Sequence, residues 1–237
     1  MPRFTFHSQQ TQDEFVFSVF FPHTRNGVFV DIGAHDGVSF SNSLFFEREL
    51  GWSGICVEPI PAVFQKLQKN RRCACIQACV DEKPGRVRFT RVTGYGEMLS
   101  GISSKYDPKH RERIERTIAN EGGCVEEIEV EAVSPADLLR SHSIHRVDLL
   151  NIDTEGNESA ILHCWPFDLA KPRVILVENN YKDTRNRDFL AKHGYRLVKT
   201  LGDDIFHLGP MSPLESMRAL GFKIRKAIQR RLAKRAR

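Results

Sequence analysis

Residues 28–58 read VFVDIGAHDGVSFSNSLFFERELGWSGICVE, and this stretch decides the fold. Val28, Phe29, Val30 and Ile32 form a short apolar run containing β-branched residues, the pattern of a strand covered on both faces. Gly33 and Gly37 flank a turn where the backbone passes close to a ligand. Leu44, Phe45, Phe46 and Leu50 then follow at helical spacing, with Gly51 placed as the C-cap. Gly54 to Val57 is a second strand, and it runs into Glu58. Strand, glycine turn, helix and acid-terminated strand make the first unit of a nucleotide-type α/β fold, whose ligands bind at the carboxyl ends of the strands. Asp31 lies at that end of the first strand, and Glu58 stands where an acid accepts hydrogen bonds from ribose hydroxyls.

A dinucleotide fingerprint needs a third glycine close behind to seat a pyrophosphate, and Phe40 and Ser41 occupy that neighbourhood. A dehydrogenase is therefore disfavoured. A cofactor with a ribose but no pyrophosphate fits better, which points to S-adenosylmethionine. Four ordered motifs, GAHDGVSFSNSLFFE, GICVEPIP, LLNIDTEGNE and VENNY, resemble those of the FkbM family of S-adenosylmethionine-dependent methyltransferases. The resemblance spans residues 29–208. It implies a Rossmann-like class I fold: a seven-stranded, mostly parallel sheet with one antiparallel strand and helices on both faces. It also implies cofactor contacts from Asp31, Gly33, His35, Asp36, Gly37, Asn42, Glu58 and Asp81, the last near the adenine amino group. Relatives commonly carry a lysine where Asn151 stands, so any role of that lysine is absent here.

The chain of 237 residues divides into an N-terminal arm (1–27), a methyltransferase domain (28–211) and a C-terminal helix (212–237). The arm's apolar cluster FVFSVFF can dock as a strand or a short helix. Pro59 and Pro61 open a helix from Ala62 to Asn70, and Cys73 to Val80 reads as the third strand, ending at Asp81. Residues 82–133 break the alternation of strands and helices. VRFTRV and CVEEIEVEAV have strand character and HRERIERTIANEGG reads as a charged helix. The Gly- and Ser-rich TGYGEMLSGISSKYD between them is the candidate substrate lid, with Tyr95, Glu97 and Ser100 as its acceptor-binding residues; a plain surface hairpin is the alternative. Ser134 caps a short helix, Val147 to Ile152 is the fourth strand, and Val174 to Val177 is the fifth. A helix from Asn186 to His193 precedes an antiparallel hairpin, Tyr195 to Leu201 and Ile205 to Leu208, turning at GDD.

Acids or amides stand at the ends of strands one to five, more than turn chemistry alone requires. Methyl transfer needs the acceptor oxygen about 3 Å from the methyl and its proton removed. Asp153, Glu155 and Glu178 are the candidate catalytic groups, with Asp153 or Glu155 as general base on a hydroxyl. The other device is Mg²⁺ held by Asp153, Glu178 and Asn179, acting as a Lewis acid. The base without metal is favoured.

Net charge is +5, unevenly spread: Arg218 to Arg237 holds nine Lys or Arg and no acid, whereas the rest carries 26 basic against 30 acidic residues. Ser212 and Glu215 have capping-box spacing, and Leu214, Met217, Leu220, Ile224, Ile228 and Leu232 follow in steps of three and four. The tail is thus a basic amphipathic helix suited to an anionic membrane, a partner protein or the domain's own surface. Nucleic acid is disfavoured by the acidic domain and by a tail without interleaved aromatics. The opening residues contain Gln, Asp and Glu where a secretory leader would be apolar, so a cytoplasmic location is expected, with the tail able to reach a membrane's inner face. Cys73, Cys75 and Cys79 share one face of a strand but lack the CxxC or His partners of a zinc site, so they read as reduced core thiols.

Two functions follow. The first is O-methylation of a saccharide, glycan or glycosylated natural product, a substrate class implied by the resemblance. The second is a non-catalytic scaffold docking through its basic tail. The joint presence of Asp31, Gly33, Gly37 and Glu58 argues against the scaffold, which has no physical need of them.

Overall fold

A computed structural model describes residues 4–235. In chain order the elements are α1 (Gln12–Phe20), β1 (Val28–Ile32), α2 (Leu44–Leu50), β2 (Ser53–Val57), α3 (Pro61–Asn70), β3 (Ala74–Ile76) and β4 (Cys79–Val80). After β5 (Gly85–Val92) come a 3₁₀ turn (Gly94–Leu99), β6 (Gly101–Ile102) and a second 3₁₀ turn (Ser103–Lys105). Then follow α4 (Pro108–Glu121), β7 (Val125–Val133), α5 (Pro135–Ser141), β8 (Leu149–Ile152), α6 (Glu158–Cys164), β9 (Val174–Val177) and α7 (Arg185–Lys192). The chain closes with β10 (Tyr195–Leu201), β11 (Asp203–Leu208) and α8 (Pro213–Arg235).

Seven strands form the main sheet in the order β10-β11-β9-β8-β1-β2-β3. Only β11 is reversed, antiparallel to both β9 and β10. This is the expected seven-stranded α/β sheet. The expected turn GDD is tighter in the structure: Gly202, at φ 76°, makes the corner, and Asp203 and Asp204 already belong to β11.

Alternation along the strands sorts the core into two layers. Val30, Ile32, Ile55, Val57, Leu150 and Ile152 face α5, α6 and α7, where Leu138, Leu139, Ile161, Leu162 and Leu190 are buried. Phe29, Cys56 and Leu149 face the other way, against Phe45, Phe46, Leu67 and the arm. The arm takes the helical option: Phe15, Val16, Val19 and Phe20 of α1 are buried, and Phe6 stacks on Phe45 at 4.5 Å.

The stretch from Cys73 to Val80 is not one strand. Ala74–Ile76 pairs with β2 in the main sheet, whereas Cys79–Val80 pairs with Ala132 and Val133 of β7 in a second, four-stranded sheet ordered β4-β7-β5-β6. The distant β7 captures the end of the segment, so Cys79 parts company with Cys73 and Cys75. All six cysteines are free thiols. Strands β5 and β7 pair over eight residues, and with β6 and α4 they form a subdomain over the carboxyl edge of the main sheet.

Candidate active site

One cleft lies at that carboxyl edge. Its floor is the turn after β1. Gly33 has φ 87°, and a Cβ there would stand 1.7 Å from the Asp153 carbonyl oxygen, so β1 and β8 close together only through glycine. Glu58 ends β2, and its carboxylate accepts from the Ile60 backbone N–H at 2.8 Å. Burial pushes its pKa up to about 7, with the nearby charge of Glu97 adding to the rise.

Behind this floor runs a buried polar network. Asp31 and Asn151 are register partners on adjacent strands, and Asn151 donates to Asp31 at 2.9 Å while accepting from Asn42 at 2.9 Å. Ser43 also donates to Asp31. Arg71 lies fully buried beneath, paired with Glu47 at 2.6 Å and set over the Phe29 ring at 5.2 Å. Asn151 thus ties the cleft residue Asn42 to the end of β1. Asn42 Oδ1 is buried without a partner.

At the opposite end, Asp153, Glu155 and Glu178 bring carboxylate oxygens within 4.8 Å of one another. Burial, followed by the charge of Asp203, raises the Asp153 pKa well above the ordinary carboxylate range. Burial and then Asp153 itself do the same to Glu178. Glu155, with backbone in the left-handed region at φ 56°, is pushed by burial up to about 7 despite Arg113 at 3.3 Å. Its neighbour Glu158 closes the loop by accepting from the backbone N–H of Thr154 and Gly156 at 2.9 and 3.0 Å.

The walls come from the N-terminal arm, which the sequence did not assign to the site, and from the expected lid segment, which contributes Glu97 and Ser100. Gln9 and Gln10 of the arm line the cleft, and Gln12 donates to Asp203 at 3.0 Å. From the subdomain, Glu97 meets His35 Nε2 at 3.2 Å, while His110 of α4 lies 3.4 Å from Glu155. Ser100 also lines the cleft, its hydroxyl bonded to Val92 N and the Glu97 carbonyl.

Of the expected cofactor residues, Asp31, Gly33, His35, Asn42 and Glu58 line the cleft; Asp36, Gly37 and Asp81 do not. Asp36 folds back on its own turn, accepting from Val38 and Ser39 N–H at 2.8 and 2.7 Å. Gly37 is needed for packing, because a Cβ would stand 2.6 Å from both Leu67 and Arg71 of α3 and its C-terminal neighbour. Asp81, following the diverted β4, is held by Lys105 at 3.4 Å and Asn157 at 3.2 Å. Among the lid residues, Tyr95 is 79% exposed and does not line the cleft. The Asn179 amide is engaged away from Asp153: it donates to Asp204 at 2.7 Å and accepts from Asp183 N at 2.8 Å. Glu155 takes its place in the trio.

An open α/β sheet of this order, with an acid-lined cleft at its carboxyl edge, defines a Rossmann-like methyltransferase fold. The chain belongs to the FkbM methyltransferase family: the family model described as Methyltransferase FkbM domain matches residues 31–197. No curated protein matches significantly. Among solved structures, methyltransferase FkbM from Methylobacillus flagellatus KT is similar over 81% of this chain and 47% of its own, with 13% identity and TM-score 0.46. This chain therefore spans about half the length of that protein, 47% of it. Precorrin-6y C5,15-methyltransferase from Geobacter metallireducens GS-15 is similar over 89% of this chain and 93% of its own, at 12% identity and TM-score 0.41.

Proposed function

We propose that the protein is an S-adenosylmethionine-dependent O-methyltransferase acting on a hydroxyl of a saccharide or glycoconjugate. One observation carries the cofactor reading. Seven carboxylates line the cleft (Asp31, Glu58, Glu97, Asp153, Glu155, Glu178 and Asp203) against a single arginine, Arg113. Such a cleft repels the phosphates of a dinucleotide and attracts a sulfonium cation. The donor set fits: Glu58 suits ribose hydroxyls, and the free acceptor Asn42 Oδ1 suits an ammonium group.

When bound, the cofactor supplies a methyl group whose bond to sulfur breaks, the electron pair staying on sulfur, as a bond to the acceptor oxygen forms. The protein's own residues do the rest. Glu58 orients the ribose. Burial and neighbouring carboxylates raise the pKa values of Asp153, Glu155 and Glu178, and one of them takes the hydroxyl proton. The saccharide class is the one the family resemblance implies, and the polar side chains Glu97 and Ser100 on the cleft wall support it.

A second reading rests on the same trio, whose three oxygens within 4.8 Å suit a divalent cation. Asp153, Glu155 and Glu178 would hold Mg²⁺, which would supply Lewis acidity at the acceptor oxygen. Methyl transfer from labelled S-adenosylmethionine to a saccharide panel, with chelator or Mg²⁺, separates the two. Turnover that survives chelation supports the carboxylate base; loss restored by Mg²⁺ selects the metal. No binding of S-adenosylhomocysteine and no transfer to any member sinks both.

A further inference from the structure

Helix α8 has two apolar faces, and only one is covered. The inner face docks on α1: Phe222 packs edge-on against Phe15 at 5.2 Å, and Arg225 and Lys226 pair with Glu14. The start of the helix is anchored by its capping box, Ser212 Oγ to Glu215 at 2.8 Å, and by Glu215 to Arg173 at 2.7 Å. Phe20, at the end of α1, stacks on His207, which lies 3.7 Å from Glu215 at the start of α8, whereas Lys226 meets Glu14 near the start of α1, so the two helices run antiparallel. Its last nine residues project about 13 Å beyond that contact at 1.5 Å per residue.

The outer face carries Leu214, Met217, Leu220, Ile224, Ile228 and Leu232, each 49–64% exposed. These are six of the ten large apolar side chains exposed among the described residues. At 100° per residue they fall within an arc of about 120°. Arg218 and Arg225 border one edge of the arc, Lys223 and Lys234 the other, and Arg231 sits within it. No acid follows Glu215. A long apolar stripe edged by cations, on the exposed side of a helix already fastened to the domain, is the form of a helix lying in a lipid headgroup layer.

Other occupants fit less well. In a second copy, Arg218, Lys223, Arg231 and Lys234 of each helix would meet their counterparts across the contact without an acid to neutralise them. A protein interface centres on aromatic anchors, and the stripe has none. No helix among the described residues is long and apolar enough to cross a membrane, so the arrangement is one of surface attachment.

We propose that the outer face of α8 binds the surface of a membrane containing anionic lipids, with the Leu214-to-Leu232 stripe among the upper acyl chains and the flanking Lys and Arg on the headgroups. The inference is independent of the methyltransferase chemistry. It is tested by sedimenting the full-length protein with phosphatidylcholine vesicles that contain or lack phosphatidylglycerol. Binding to the anionic vesicles alone is expected, weakening as salt screens the charges. An Ile224→Glu/Ile228→Glu variant should bind at least about tenfold more weakly. An Arg218→Gln/Lys223→Gln/Arg231→Gln/Lys234→Gln variant should lose more than about a hundredfold. All six positions lie off the buried core, and unchanged thermal unfolding of both variants verifies the fold. Absence of sedimentation with anionic vesicles at low salt overturns the proposal, as does undiminished binding of the Ile224→Glu/Ile228→Glu variant. Self-association abolished by that variant, without lipid binding, assigns the stripe to a second copy instead.

Discussion

The two ends of the cleft are built on opposite electrostatic plans. At the β1–β2 end, Asp31 is held by Ser43 and Asn151, Asp36 by its own turn, and Glu58 by Ile60 N–H. At the β8–β9 end, Asp153, Glu155 and Glu178 face one another, with Arg113 the one cation beside them. The first end ties each acid to its own hydrogen-bond donors, and the second sets three carboxyl groups against one another. Crowded carboxylates lower stability, and groups perturbed in this way concentrate where chemistry is done.

Substitutions should divide along the same line. Asp153→Asn is expected to have the largest effect, reducing methyl transfer by about 10²–10⁴-fold while leaving S-adenosylhomocysteine affinity intact. Equal losses in both quantities would mean that the two ends are not separate.

The free protein should also show a pH signature at Glu58. Its pKa is raised to about 7 in the fold, so its contribution is fully stabilising below the unfolded value near 4.5 and is lost as pH rises through about 7. Glu58→Gln should remove that slope, gaining up to about 3 kcal/mol relative to the native protein at pH 8 in denaturant titrations. A parallel pH dependence in the two proteins would contradict the assignment. Because the carboxylate is the form that accepts from ribose hydroxyls, native cofactor affinity should rise over the same window.

Arg113→Gln removes the cation beside Glu155 and should slow turnover at neutral pH by about tenfold, with cofactor affinity unchanged. Tyr95→Ala should do nearly nothing to either quantity, since the ring lies outside the cleft. An appreciable loss there would show that the Gly94–Leu99 turn folds over the acceptor during the reaction.

How much of this was legible in the sequence follows from the range of the interactions involved. Strands β1, β2, β8 and β9, the glycine turn, the Gly51 cap and the final hairpin are local patterns, and they appear where periodicity places them. Residues 73–80 divide because the partner of Cys79–Val80 lies fifty positions on, in β7. Asn179 turns away from the carboxylate trio for a reason that strand geometry supplies. Side chains alternate beyond β9, so Glu178 and Asn180 reach the cleft while Asn179 points to Asp204. Gln9, Gln10, Asp203, Arg71 and Arg113 gain their roles only through distant contacts, and no local spacing marked them.

The most direct test is calorimetric titration of S-adenosylhomocysteine into the native protein, Glu58→Ala and Asp153→Asn. Micromolar binding to the native protein, kept in Asp153→Asn and weakened about a hundredfold in Glu58→Ala, is the predicted result. Absence of binding to the native protein, or binding indifferent to Glu58, would contradict the account of the cleft.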